Sequence, residues 1–244
     1  MNLLLFIQTK LATPFTFACV TCNKEVQDAI YNSTFFPNLL TMLSAFFVLI
    51  AINIIFTRLA TKRYKARVLA NPNVKELASV PLTSASVILG IGMGGFADGI
   101  VLHQVLQWHE MLTNKIAADT VINKSVNMFW DGIFHMFTLI TTTAGVILLW
   151  KLLNRKNINR SGFLLSGGLF SGWGLFNLVE GIIDHHILGL HNVRELSPNQ
   201  DAWNYGFLAF GAALLLLGAM LIKKGKKKAV IFLVRYTRLQ QDVV

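Results

Sequence analysis

The chain has 244 residues, 54% of them hydrophobic and only 14% charged, with a mean hydropathy of +0.54. Soluble domains carry about 25% charged residues, so this composition excludes an ordinary soluble domain, and the apolar content excludes a disordered chain. Two cysteines exclude a disulfide-rich scaffold, and the net charge of +10 divides among segments that flank apolar runs, which argues for membrane topology and against nucleic acid.

Residues 1–20 lack the basic start and long apolar core of a signal peptide and read as an interfacial or packed segment. Cys19 and Cys22 form a CxxC, read as a disulfide or free-thiol pair or, with a partner ligand, as a soft-metal site. Five apolar stretches follow: Leu39–Phe56, Leu82–Leu106, Met128–Trp150, Gly162–Gly189 and Tyr205–Ile222. Each is long enough to cross a ~30 Å hydrocarbon core as a helix. None has the period-two alternation of a barrel strand.

The connecting segments alternate in charge. Segments 58–81, 151–161 and 223–244 hold 17 Lys and Arg; segments 1–38, 109–127 and 190–204 hold 5. The positive-inside rule then places the N-terminus outside and the C-terminus in the cytoplasm of a multi-pass cell (inner) membrane protein. The expected fold is an all-α integral membrane protein with five transmembrane helices, the last four forming a bundle. Residues 1–81 comprise the extracytoplasmic CxxC segment, the first span and a basic loop. Residues 82–222 comprise the four-helix bundle. Residues 223–244 are a basic cytoplasmic tail whose five lysines between 223 and 228 suit anionic headgroups.

Four acids lie inside apolar stretches: Asp98, Asp131, Glu180 and Asp184. A charge at mid-membrane costs at least ~2.5 kcal/mol, so such residues have partners or a task. All six histidines lie between 103 and 191, and the polar groups gather at the outer ends of their spans. Asp98-Gly99-Ile100 precedes His103, Asp131-Gly132-Ile133 precedes His135, and Glu180-Gly181-Ile182 precedes Asp184, His185 and His186. The surrounding spans differ and run in opposite directions, so the pattern reads as one local solution used three times, not as a repeat architecture. Counted along straight α-helices, Asp98, His135 and Glu180 form a deep layer. His103, Asp131 and His185 or His186 form a shallower layer, ~6–7.5 Å higher.

Mixed imidazoles and carboxylates suit zinc, iron or copper. The expected ligands are His103, Asp131, His135, Glu180, His185 and His186, with Asp98 and Asp184 as further or supporting ligands. His109 and His191 lie beyond the spans and read as caps over the site or as interfacial histidines. A structural hydrogen-bond network, a proton relay and a bis-histidine haem are the alternatives; the relay is disfavoured because the inner halves of the spans carry no ionisable group. Gly90–Gly94, Gly95–Gly99 and Gly168–Gly172 are small-xxx-small pairs, which predict that the second and fourth spans touch and bring Asp98 near Glu180.

From Gly94 to His109, at Trp130–His135 and at Glu180–His186, the chain resembles a family of predicted bacterial and archaeal membrane proteins, over about residues 82–222. That resemblance implies the helical membrane fold but no activity; the company some members keep with cytochrome oxidase assembly genes implies a respiratory-complex component as a partner. Residues 1–60 look like an added module. A fainter likeness, on Asp131 and His135 alone, is to the zinc hydrolases related to ceramidases and adiponectin receptors. Their HxxxH pair is absent here and their span count differs. Three functions follow as expectations: a metal-dependent membrane enzyme (hydrolase or oxidoreductase), a metal carrier or assembly factor, and a proton or ion pathway.

Overall fold

The computed structural model describes residues 23–70 and 76–241, and Cys19 and Cys22 lie outside them. Within these residues the chain is helical, with α1 Lys24–Ile30, α2 Phe35–Ala70, α3 Val80–Phe96, α4 Val121–Leu152, α5 Gly162–Glu180 and α6 Gln200–Gln241. Two π-helices continue α3 and α5 without a break: π1 Ala97–Val105 and π2 Gly181–Ile187. Five of these segments are long and apolar enough to span a membrane: Phe35–Ala70, Val80–Val105, Val121–Leu152, Gly162–Ile187 and Gln200–Lys227. The described residues contain no β-strand, only a single bridge between Ala78 and Ile158.

Local chemistry sets the helix starts. Thr120 accepts a hydrogen bond from Asn123 N (3.1 Å) ahead of α4, and Ser161 accepts one from Phe163 N (3.3 Å) ahead of α5, each satisfying a donor left free by the first turn. Pro81 occupies the first turn of α3, where its missing N–H costs nothing. α6 runs on through the lysines after Ile222, so the basic tail begins as helix.

Glycine decides which helices meet. A Cβ on Gly90 would collide with the backbone of Leu169, and one on Gly172 with the backbone carbonyl of Val87. α3 and α5 are therefore in backbone contact, as the glycine spacing predicts, and they run in the same direction. Gly145 places α4 against Leu89 of α3, while Gly174 and Gly211 seat α5 on α6. α2 lays Phe46 against Phe134, Phe137 and Phe176, at ring separations of 5.7, 5.7 and 6.4 Å. Gly172→Val is expected to lower stability by about 1–3 kcal/mol or to prevent folding, because the clash is with backbone that cannot swing aside. Thermal melting in detergent measures the loss, and a wild-type melting temperature would show that the helices can separate at no cost.

Candidate metal centre

π1 and π2 assemble the site. In an α-helix, residues five apart point about 140° away from each other; in a π-helix, with i→i+5 hydrogen bonds, they share a face. Asp98 and His103 are five apart on π1, and Glu180, directly ahead of π2, is five from His185 within it. The result is direct contact: His103 Nε2 lies 3.0 Å from Asp98 Oδ2, and His185 Nε2 lies 2.9 Å from Glu180 Oε1. The two layers expected from straight helices are thus one compact cluster, because the wider helical turn closes the separation between acid and histidine.

After each π-helix the chain turns through a left-handed residue, Gln107 (φ +50°) or Gly189 (φ +55°), and folds back. This return carries His109 and His191 into the cluster. His109 Nδ1–H donates to Val193 O (2.8 Å), and His191 Nδ1–H donates to Met111 O (3.1 Å). Each histidine is thus anchored on a backbone carbonyl two residues beyond the other histidine. Their rings stack at 4.5 Å with planes 5° apart.

The two units correspond residue for residue. Asp98, Gly99, Ile100, His103, Leu106 and His109 are matched 82 positions later by Glu180, Gly181, Ile182, His185, Leu188 and His191. The left-handed residues Gln107 and Gly189 match in the same register. So do the closing hydrogen bonds, Leu106 N to Val101 O and Leu188 N to Ile183 O, both 2.8 Å. The third stretch, at Asp131, has no such equivalence: it lies on unbroken α4. The chain therefore holds a twofold repeat, with its units on the parallel helices α3 and α5.

Asp131 enters from α4 between the units. Its Oδ1 accepts from His103 Nδ1 (3.0 Å) and from Met111 N (2.9 Å). Asp98, His103, His109, Asp131, Glu180, His185 and His191 are all buried, none more than 6% exposed. Two triplets of donor atoms lie within 4.8 Å of one another: His103, His109 and His191, and Glu180, His185 and His191. Of the other predicted residues, His135 turns its Nδ1 to its own helix at Asp131 O (2.7 Å) and its Nε2 toward Gly99. His186 is exposed and faces the Tyr205 ring at 5.1 Å. Asp184 is buried with Oδ1 unpartnered, and it stands in neither triplet.

The electrostatics of the cluster favour a cation. With Nδ1–H donated to a carbonyl, a neutral histidine presents a bare lone pair at Nε2. His191 Nε2 faces Glu180 Oε1 at 3.1 Å, acceptor against acceptor, and His109 Nε2 is buried with no partner. Burial, together with the nearby His103, His191 and His185, holds the His109 pKa well below the ordinary imidazole value, so its lone pair stays available. Next to it, burial and then Asp131 push the Glu110 carboxyl up to about 7. Asp98 Oδ1 and Glu180 Oε2 are likewise buried without partners. Ligand atoms around an ion with ~2.1 Å bonds stand about 3.0–3.4 Å apart, close to the contacts seen here. Fixing one ring nitrogen on a carbonyl or carboxylate, as at His103, His109 and His191, is how metal-ligating imidazoles are oriented.

A cavity of about 490 Å³ reaches the cluster at Asp98. Apart from Asn177, its other walls are apolar and aromatic, with Trp108, Trp173, Trp203, Phe207 and Phe210 among them. Trp108 and Trp203 meet edge to face at 5.0 Å, and the Arg194 guanidinium lies over both rings, 5.2 and 5.1 Å from their centroids.

The sequence reads His109 and His191 as caps over the site or as interfacial histidines, and the structure brings both into the buried cluster. The signal for them was the 82-residue correspondence, which ends on a histidine in both units. No curated protein and no solved structure matches the chain. The model of one family covers residues 85–225, which include both repeat units, Asp131 and the whole cavity wall. The chain belongs to that family, described as "Predicted membrane protein (DUF2243)".

Proposed function

We propose that this protein is a metal-dependent membrane enzyme that acts on a substrate with an apolar body, at a centre in the outer half of a cell membrane with the N-terminus outside. The observation that carries the reading is the surplus of buried lone pairs: four imidazoles and two carboxylates converge, with acceptor atoms facing one another or left unpartnered. A proton network of the same residues would pair these atoms; a divalent transition ion satisfies them together. The ligands in this reading are His103, His109, His185, His191, Glu180 and Asp98, with Asp131 orienting His103.

The cavity supports an enzyme over a carrier. Its volume lies in the range of small-molecule sites, and its aromatic walls lead from the Arg194 side to Asp98 at the cluster. An ion passed on to a partner needs no such apolar chamber. A bound zinc ion supplies an activated water for hydrolysis, whereas iron or copper supplies redox chemistry.

The test uses the full-length protein in detergent. The wild type is expected to contain or take up zinc, iron or copper and to co-purify with an apolar molecule detectable by native mass spectrometry. Gly206 lines the cavity, and a Cβ built on it meets nothing within 4 Å, so Gly206→Phe fills the chamber without strain. The variant is expected to keep the metal and lose at least about tenfold of the bound molecule. Protein that takes up no ion, even after incubation with each of the three, would overturn the metal reading. A cavity variant that retains the molecule would overturn the role of the cavity.

A further inference from the structure

We infer that the centre holds a pair of divalent first-row transition ions, one on each repeat unit. Asp98, His103 and His109 hold one ion, and Glu180, His185 and His191 hold the other. This rests on the metal reading above and extends it.

Each unit supplies two histidines and one carboxylate, the set that holds an octahedral ion with open positions. The repeat assigns each donor to its set, and the neighbours largely follow it. The two imidazoles of one unit are neighbours, with ring centroids 4.3 Å apart for His103 and His109 and 4.7 Å for His185 and His191. Two crossed pairs are farther apart, 6.0 Å for His103 and His191 and 6.2 Å for His109 and His185, and the third, His109 and His191, meets at 4.5 Å where the sets adjoin. Each carboxylate likewise contacts the first histidine of its own unit, at 3.0 and 2.9 Å. The six ligands of a single octahedral ion with ~2.1 Å bonds would all lie within about 4.2 Å of one another. Here the donors fall into two triplets, His103, His109 and His191, and Glu180, His185 and His191, and Asp98 adjoins the first through His103 Nε2 at 3.0 Å.

Charge and partner counts agree with two ions. Four buried carboxylates surround the cluster, Asp98, Asp131, Glu180 and Asp184. Asp98, Asp131 and Glu180 each lie within 3.0 Å of a cluster histidine, so a single dication would leave a buried negative excess. Unpartnered donor atoms occur in both units, Asp98 Oδ1 and His109 Nε2 in the first and Glu180 Oε2 in the second. The stacked His109 and His191 rings lie where the two sets adjoin, which suits the ~3.5–4 Å spacing of a two-metal site.

The test is metal stoichiometry in the purified full-length protein, with zinc as the counted ion and manganese(II) as the magnetic probe. Two zinc ions per chain are expected in the wild type and one in each of His103→Ala and His185→Ala. The manganese-loaded wild type is expected to give the electron paramagnetic resonance spectrum of an exchange-coupled pair, a readout that needs no variant to fold. One ion per chain with an isolated-ion spectrum would overturn the pair and leave the proposed function standing. No ion at all would overturn both.

Discussion

Replacing His191 with alanine is expected to release the ion of the second unit and to weaken the first. His191 belongs to both donor triplets, and its Nε2 lies 3.0 Å from His185 Nε2 and 3.1 Å from Glu180 Oε1. Losing an outer-shell partner costs 10–100-fold in metal affinity, so losing this direct ligand is expected to lower affinity at the second unit by at least about 100-fold. The same change frees Met111 O from its hydrogen bond and removes half of the stacked imidazole pair. Elemental analysis after dialysis reads the effect. His186→Ala is the control: that side chain is exposed beside Tyr205, and its loss is expected to leave metal content unchanged. Equal retention of metal in both variants would show that the ions lie elsewhere.

Asp131 is expected to separate stability from affinity. Its Oδ1 accepts from both Met111 N and His103 Nδ1, while Oδ2 lies 3.4 Å from Gln104 Nε2. Asparagine keeps an oxygen in the same place, so Asp131→Asn is expected to retain both Oδ1 hydrogen bonds and to melt near the wild type. It removes the negative charge that makes the His103 ring a stronger donor, so metal affinity at the first unit is expected to drop 10–100-fold. Alanine also strips the partner from the buried Met111 N–H, at about 1–3 kcal/mol, and is expected to lower the melting temperature as well as the affinity. Full affinity in the asparagine variant would mean that Asp131 only braces the loop at Met111. Asp131 touches only the first unit, whereas His185 Nδ1 in the second has no partner. The two ions of the proposed pair would therefore differ in the basicity of their ligands.

The spans were legible because hydrophobicity over some twenty residues does not depend on local detail. The contact of α3 with α5 was legible because Gly90 and Gly172 have no other use in an apolar helix than to let backbones meet. Asp98, His103, Asp131, Glu180 and His185 stood out because a polar group in hydrocarbon is expensive. The π-helices were hidden: a wider turn leaves no trace in a hydrophobic period, and a straight-helix count puts Asp98 and His103 on different faces. His109 and His191 were hidden for another reason. They lie past the apolar runs, where an imidazole costs little, and only the fold-back through Gln107 and Gly189 buries them. The orientation of His135, whose Nδ1 turns to its own helix at Asp131 O, was likewise not legible.

The spacing of the repeat also indicates where this chain tolerates a change of length. From acid to second histidine both units span the same number of positions, Asp98 to His109 and Glu180 to His191, although their flanking helices differ in sequence. Beyond the second histidine the match ends: α4 begins at Val121, whereas α6 begins at Gln200, so the first connection is the longer. The segment from acid to second histidine works as a ruler, since one residue added or removed would turn every later side chain off its bearing. Past Met111 and Val193, whose carbonyls hold the opposite histidines, the connections differ in length, and there this architecture can accept insertions or new surface without disturbing the ions beneath.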